Sequence, residues 1–507
     1  MGTNRTPAQD RSARASSGQL GWWSRLGAAL GFLSVSAAPL LPQGAPSSAG
    51  ALTLIGSARA RGEAWNWFDA GSRGKYVYAG ATLRVGATQQ WATIGWQAEL
   101  EAPLLLGLPD DAVLPAPAGQ LGLGGTYFAA NDRNRTVGGL FLKQAFVSLG
   151  RQTGEGHRVR LGRFVFQDGG ETAPTDPTLA AVKRSRVSQR LIGGFGFSHV
   201  QRSFDGLHYV FEGGGGRVNL TAIVARATQG VFKTNGWPGL EAGVAYGALT
   251  TALWPRNRGE LRVFAAYYRD WRDEVVKTDN RPVAERQVDR NDVTAITVGG
   301  HYLHLFPTFQ GPIDLMLWGA AQTGMWGRLD HRAHAGAVEV GIQPDGLGWI
   351  RPWLRAGLFA SSGDPDPTDS RHQTFFQVLP TPQPHARFPF HNLMNLQDAW
   401  VSLTLRPASR VTLRSDLHTL RLTERSDLWY LGGGAFDDQS FGYVGRASEG
   451  GRHLADVWDL SVDVRLGPQW SLGGFVAWAK GATVIRSIYG PGDVDGSFGY
   501  LEVNYRP

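Results

Sequence analysis

From Asp398 to Arg406 the chain alternates without a break. Ala399, Val401, Leu403 and Leu405 occupy one phase, and Asp398, Trp400, Ser402, Thr404 and Arg406 the other. Successive side chains on a strand point to opposite faces, so this segment reads as a strand with one apolar and one polar face. The pattern recurs. In 410–422, Val411, Leu413, Ser415, Leu417 and Thr419 oppose Arg410, Thr412, Arg414, Asp416 and His418. In 456–466, Trp458, Leu460, Val462 and Val464 oppose Asp459, Ser461, Asp463 and Arg465. Arg351, Trp353 and Arg355 alternate with Pro352, Leu354, Ala356 and Leu358. From about residue 75 onward the chain repeats strand and turn, which predicts an all-β protein.

Soluble antiparallel sheets alternate too, so the choice of solvent rests on other features. The strands are about 9–11 residues long, the length a tilted strand needs to cross a bilayer. Aromatic residues stand near strand ends, as Trp91, Trp96, Tyr267, Tyr268, Trp470 and Trp478 do, and an interfacial girdle requires such placement. The polar phase carries Arg and Asp, which suits a wet lumen better than a packed core. The 68 Gly and 18 Trp fit curved strands and membrane interfaces. Apolar residues make up only 42% of the chain, and mean hydropathy is negative, which excludes a helical membrane bundle. The expected fold is therefore a transmembrane antiparallel β-barrel, a single domain over 61–507. At about 25 residues per strand with its connection, that length allows about 16–20 strands and an aqueous lumen. Short turns such as Arg406-Pro407-Ala408-Ser409 and Gly467-Pro468 read as periplasmic. The longer polar stretches 271–292 and 361–395 read as outer loops or loops folded into the pore.

Residues 1–60 read as an export signal followed by a small-residue linker. A polar start with four Arg precedes the apolar run Leu26–Leu41, and candidate cleavage points are Ser36-Ala37-Ala38 and Ala58-Arg59-Ala60. Arg5, Arg11, Arg14 and Arg25 against Asp10 account for +3 of the formal +7 and leave +4 for the rest. The longest basic cluster is Lys183-Arg184-Ser185-Arg186, too short for a nucleic-acid footprint. The absence of Cys removes disulfides, thiolate metal sites, Cys nucleophiles and a lipoprotein anchor.

The second half of the chain resembles the alginate export porin family. The matching stretches are Phe375-Phe376-Gln377-Val378-Leu379-Pro380-Thr381-Pro382, Ala386 to Asn395, Arg410-Val411-Thr412-Leu413-Arg414-Ser415-Asp416, Asp427 to Gly434, and Phe498 to Arg506. Upstream, Arg202-Ser203-Phe204-Asp205-Gly206 and Gly150-Arg151-Gln152 with Leu161-Gly162-Arg163 look like further family motifs. The resemblance covers about residues 145–507. It implies an 18-stranded monomeric barrel in the outer membrane of a Gram-negative bacterium, passing an anionic polysaccharide by diffusion through an Arg-rich constriction. Tyr505 replaces the usual final aromatic, three positions in from the end, in the outward phase with Gly499, Leu501 and Val503. Its reader would be the outer-membrane insertion machinery.

Lumen-phase candidates to line the pore are Arg351, Arg355, Arg406, Arg410, Arg414, Asp416, Asp459, Asp463 and Arg465. Arg158, Arg160, Arg184, Arg186 and Arg190 form an earlier set in one phase. Arg keeps its charge at any working pH and binds carboxylate bidentately, so the expected cargo is an alginate-like polyuronate or a small anionic solute. Asp398 shares the phase with the other Asp residues, so Arg–Asp pairs that merely brace the wall are the competing reading. The stretch 361–395 supplies a candidate constriction loop through Asp364, Asp366, Arg387, His391, Asn392 and Asn395. Its Asp cluster, and Asp493 with Asp495, lack the twelve-residue Ca²⁺ pattern with its final Glu. His301 and His304, and likewise His331 and His334, are three apart and so fall on opposite strand faces. No hydrolase, phosphate-loop or metalloprotease motif occurs. The expectation is no enzyme, no cofactor and no metal; the partners are the anionic cargo, outer-membrane lipid and the insertion machinery, with no nucleic acid. The rival function is a structural barrel or adhesin whose outer loops bind a partner.

Overall fold

A computed structural model of the chain describes residues 50–507 apart from 254–257, 491 and 493. The export signal and Asp493 lie outside the described residues, save that Ala58, Arg59 and Ala60 fall within the first strand. Eighteen antiparallel strands close into a barrel. They are β1 Leu52–Asn66, β2 Lys75–Gln90, β3 Ile94–Leu106, β4 Phe141–Gly150, β5 Gly156–Phe164 and β6 Phe204–Gly213. Next come β7 Val218–Thr228, β8 Gly239–Leu253, β9 Gly259–Asp270, β10 Val293–Phe306, β11 Ile313–Trp326 and β12 Leu329–Ile342. The last are β13 Trp353–Ser361, β14 Leu396–Ala408, β15 Val411–Leu422, β16 His453–Arg465, β17 Trp470–Gly481 and β18 Asp495–Tyr505. β1 pairs with β18, from Ala58 opposite Tyr505 to Asn66 opposite Ser497. That pairing removes the last sheet edge, which lipid would leave without hydrogen-bond partners.

Alternation sorts the side chains as a barrel in lipid requires. On β14 the apolar phase is solvent-exposed at Ala399, Val401 and Leu403, while Asp398, Trp400, Ser402 and Thr404 are buried inside. The outward face of β12 carries Asp330, Arg332 and His334 toward the long loops and Val338 and Val340 further down. The outward aromatics include Trp470 tilted against Tyr505 (centroids 4.6 Å apart) and Trp458 stacked on Trp478 (4.9 Å). Tyr302, His304 and Phe306 form an outward ladder near the short-turn end. Tyr267 is outward, whereas Tyr268 points in and is buried. Such belts suit the membrane interfaces.

Connections divide by end. At one end they are short, as between Ala408 and Val411, where the proposed turn at 406–409 is tighter than expected because β14 runs on to Ala408. At the other end lie the long segments 107–140, 165–203, 271–292, 362–395 and 423–452. They carry α1 Leu123–Ala130, α2 Pro177–Val182, α3 Val283–Val288 and a hairpin of Leu428–Gly432 with Tyr443–Ala447. These loops do not stand out in solvent. They fold into the barrel and pack an aromatic core. Trp65 stacks with Tyr76 and lies 4.1 Å from Phe498, and Phe388 meets Phe68, Phe390 and Trp65. The outer half of the lumen is therefore a packed core, and of the two placements open to 271–292 and 361–395, outside or folded into the pore, the structure has the second.

Candidate functional site

The segment 165–203 crosses the lumen. Pro177 at the first turn and the Asp176 carboxylate, which accepts from the Thr178 and Leu179 amides, start α2. Lys183–Val187 then form a π-helical turn. On one side the segment is held by Arg262 to Glu171 (2.8 Å) and by Lys183 to Glu260 on β9 (2.7 Å). On the far side Arg61 donates to the Phe197 carbonyl (2.9 Å) and Thr82 to the His199 carbonyl (2.8 Å). In the middle it zips onto the 362–395 loop. Gly193 donates to the Leu379 carbonyl, Leu379 to Leu191 and Thr381 to Gln189, at 2.8–3.0 Å. The Asp168 carboxylate accepts from the Leu191 and Ile192 amides. Burial pushes this carboxyl up to about 6.

Where this segment meets β11–β14, three guanidiniums share one carboxylate. Glu339 receives Arg186 at 2.9 Å, Arg355 at 3.0 Å and Arg190 at 3.9 Å. Arg355 also binds Asp314 (3.0 Å), which accepts from Trp353 (2.7 Å). Aromatic faces hold the cations: Arg186 lies 4.1 Å from the Trp400 ring and Arg190 4.6 Å from Trp318. Several buried nitrogens here make no hydrogen bond among the described residues: Arg190 Nε and Nη1, Arg355 Nη2, Trp318 Nε1, Trp400 Nε1 and both ring nitrogens of His385. Burial, then Arg190 and Arg186, holds His385 well below the ordinary histidine range, so it is neutral.

The sequence-proposed residues separate into three groups. Arg355, Arg414, Asp416, Asp459 and Arg387 form ion pairs. Arg414 contacts Asp416 at 2.7 Å, and Arg387 reaches from the loop to Asp459 (3.3 Å) and Asp416 (3.8 Å). Asp416 and Asp459 face each other across β15 and β16, with Asp463 further along and Arg387 and Arg414 among its charged neighbours. Asp416, His418 and Asp459 offer donors within 4.8 Å of one another, a seat that the two guanidiniums fill.

The second group lies toward the short-turn mouth. Arg351 and Arg410 are exposed, Arg465 donates to the Ser409 carbonyl (2.6 Å), and Arg406 has Trp353, Arg351 and Arg184 as neighbours. None of these four makes an ion pair among the described residues.

The third group pins loops. Asp427 accepts from the Asp364 amide (2.9 Å), the Thr374 hydroxyl (2.6 Å) and the Tyr430 hydroxyl (2.7 Å). Asn395 holds the backbone of Glu424 and Leu428, Asn392 caps the Met394 amide, and His391 contacts the Asn392 carbonyl. Asp366 caps Thr368 in an exposed turn.

Alternation misplaced the Arg184–Arg190 set. Arg184 and Arg186 ride the helical turn and Arg190 the bend that follows it, none of them on a strand, while Arg158 and Arg160 do point inward from β5. Lys183 and Arg186, three apart, share the helical turn, whereas Arg190 lies beyond its end, after extended Ser188 and Gln189 at positive φ. Glu339 carried no local signal for this role, because two of its three partners, Arg186 and Arg190, come from a distant loop.

A family model described as alginate export matches residues 54–485. No curated protein matches the chain. Among solved structures, OccAB2 of Acinetobacter baumannii is similar at 10% identity and TM-score 0.55, covering 90% of this chain and 98% of that one. OccAB4 of Acinetobacter baumannii gives 9% identity and 0.53, with 91% and 100% covered. OccK9 of Pseudomonas aeruginosa gives 12% and 0.51, with 89% and 98% covered. At these identities the likeness concerns the fold, that of outer-membrane porins.

Proposed function

The chain belongs to the alginate export family and is an outer-membrane channel, and on that premise we propose that it passes anionic solutes, up to a polyuronate, by diffusion along the cationic side of its lumen. The observation that carries this is the triple guanidinium cluster at Glu339, with its unpartnered buried donors, standing where the segment that crosses the barrel meets the wall. Three fixed cations against Glu339 and Asp314 leave a positive excess, and Arg forks match carboxylate or phosphate oxygens. Arg351, Arg406 and Arg410 extend the cationic surface to the mouth. A series of weak contacts suits transport, since a cargo bound tightly at one point would not leave. The pairs Arg414–Asp416 and Arg387–Asp459 brace the wall and are not offered as cargo contacts. The protein acts as a monomer in outer-membrane lipid, and Tyr505, outward against Trp470, is the aromatic presented to the insertion machinery.

A second reading, a structural or adhesive barrel, is favoured by the packed outer half of the lumen. Single-channel recording in a planar bilayer decides between them. Anion preference, block by polyuronate and weakening of both by Arg406→Ala with Arg410→Ala are expected. Absence of conductance in every salt would leave the structural or adhesive barrel standing.

A further inference from the structure

At the long-loop end the packed core leaves one cleft of about 180 Å³. Its floor is apolar and buried, with the rings of Trp67, Phe195 and Phe232 beside Leu431. Phe195 and Phe232 meet edge to face at 5.3 Å, and Phe232 meets Phe436 in the same way. Its rim is polar and open to solvent, with Thr126 and Ala129 on α1 facing Gln439 and Ser440 in the hairpin loop. No Lys or Arg is among the lining residues. The single carboxylate, Asp437, accepts from the Gln439 and Ser440 amides through one oxygen. The Ser440 hydroxyl is buried and makes no hydrogen bond among the described residues.

The geometry points to a binding site for an uncharged pyranose ring, one monosaccharide in size. The volume falls below the roughly 300 Å³ at which pockets begin to hold drug-sized ligands, so one ring fits. A pyranose has an apolar C–H face for the aromatic floor and hydroxyls for the Gln120, Gln439 and Ser440 side chains. A plain phenyl ring gives the buried Ser440 hydroxyl no partner, where a sugar hydroxyl does, and an unpaired buried donor costs free energy. A uronate brings a second carboxylate beside Asp437, and the guanidinium there, Arg272, is already paired with Asp270 and donates to the Asp437 and Ser440 carbonyls, so the added buried charge is costly. The cleft touches α1, the hairpin and, through Phe195, the segment that crosses the lumen. A ring bound there joins the three, so this is a recognition site on the loop assembly, chemically distinct from the cationic mouth.

The test is calorimetric titration of the purified full-length protein in detergent with methyl β-glucopyranoside, its uronate counterpart and phenol. Saturable heat with the neutral glycoside is expected, with weaker binding of the uronate and of phenol. Ala129→Trp, a change at an exposed helix position that fills the rim, should weaken binding at least about tenfold, a loss of about 1.4 kcal/mol. Asp345→Asn, at an exposed turn on the opposite end of the barrel, should leave it unchanged. Heat that is not saturable, binding that survives Ala129→Trp undiminished, or tighter binding of the uronate or phenol would overturn the assignment. Conductance plays no part in this titration, so a closed barrel that binds the glycoside would overturn only the channel reading.

Discussion

The inward faces of the strands change character along the barrel axis, and the two halves solve opposite problems. Toward the short turns, β1 presents Arg59, Arg61 and Glu63, β15 presents Arg414, Asp416 and His418, and β18 presents Glu502. Toward the long loops the same strands present Trp65, Leu420 with Leu422, and Phe498, all buried. One half holds charges in a lattice of ion pairs. The other buries aromatic rings against inward-folded loops, as a soluble domain would. The lesson is that the face of a strand says which side is the lumen, and the side chains along that face say how far water reaches.

The comparison breaks most directly by removing the segment between the halves. Replacing 171–187 with a short flexible linker should raise single-channel conductance several-fold, because an 18-stranded barrel is wide enough for an aqueous channel. Unchanged conductance would place the constriction elsewhere. Trp65→Ala attacks the packed half. Loss of a fully buried Trp in contact with Tyr76 and Phe498 should cost about 3–5 kcal/mol, read as a lower temperature for the gel-mobility shift of the folded barrel. Glu339→Gln sharpens the charged half. Arg186, Arg190 and Arg355 lose their shared carboxylate, so the reversal potential in a salt gradient should move toward the anion. A reversal potential that stays put means the cluster does not face the path.

The smallest effect concerns pH at the loop junction. Burial, then the neighbouring Asp427, pushes the Asp364 carboxyl from its ordinary 3.8 to about 7, and burial pushes Asp427 to about 6. The folded state thus holds protons that the unfolded state releases. The junction's contribution is full below the ordinary value and is lost as pH rises through about 6 to 7. Protection factors of the 362–374 amides, with the base-catalysed intrinsic rate divided out, should be lower at pH 8 than at pH 5.5, and Asp364→Asn should flatten the difference. Equal protection at both pH values would show that the junction does not titrate.

Much of the barrel was legible because its rule is local. Val401 and Asp398 declare their faces within a few residues, and Tyr505 lies in the outward phase that alternation assigned. The site was less legible because its contacts are not local. Arg387 and Asp459 are far apart in sequence, and Glu339 acquires its role only when a helical turn from another loop arrives beside it. The loop residues Asn392 and Asn395, read as possible constriction groups, spend their hydrogen bonds on backbone. A polar residue in an inward loop can serve the loop and not the passage.

The seam between β1 and β18 has a consequence for how such a molecule is made. Its partners, Ala58 and Tyr505, stand at opposite ends of the synthesised barrel, so the first strand has to wait for the last before its outer row of amides and carbonyls is satisfied. An unfinished cylinder has two raw borders, and a bilayer offers neither of them water. Completion is therefore a single event that follows translation, and the chain has to be kept unassembled until the whole of it is available.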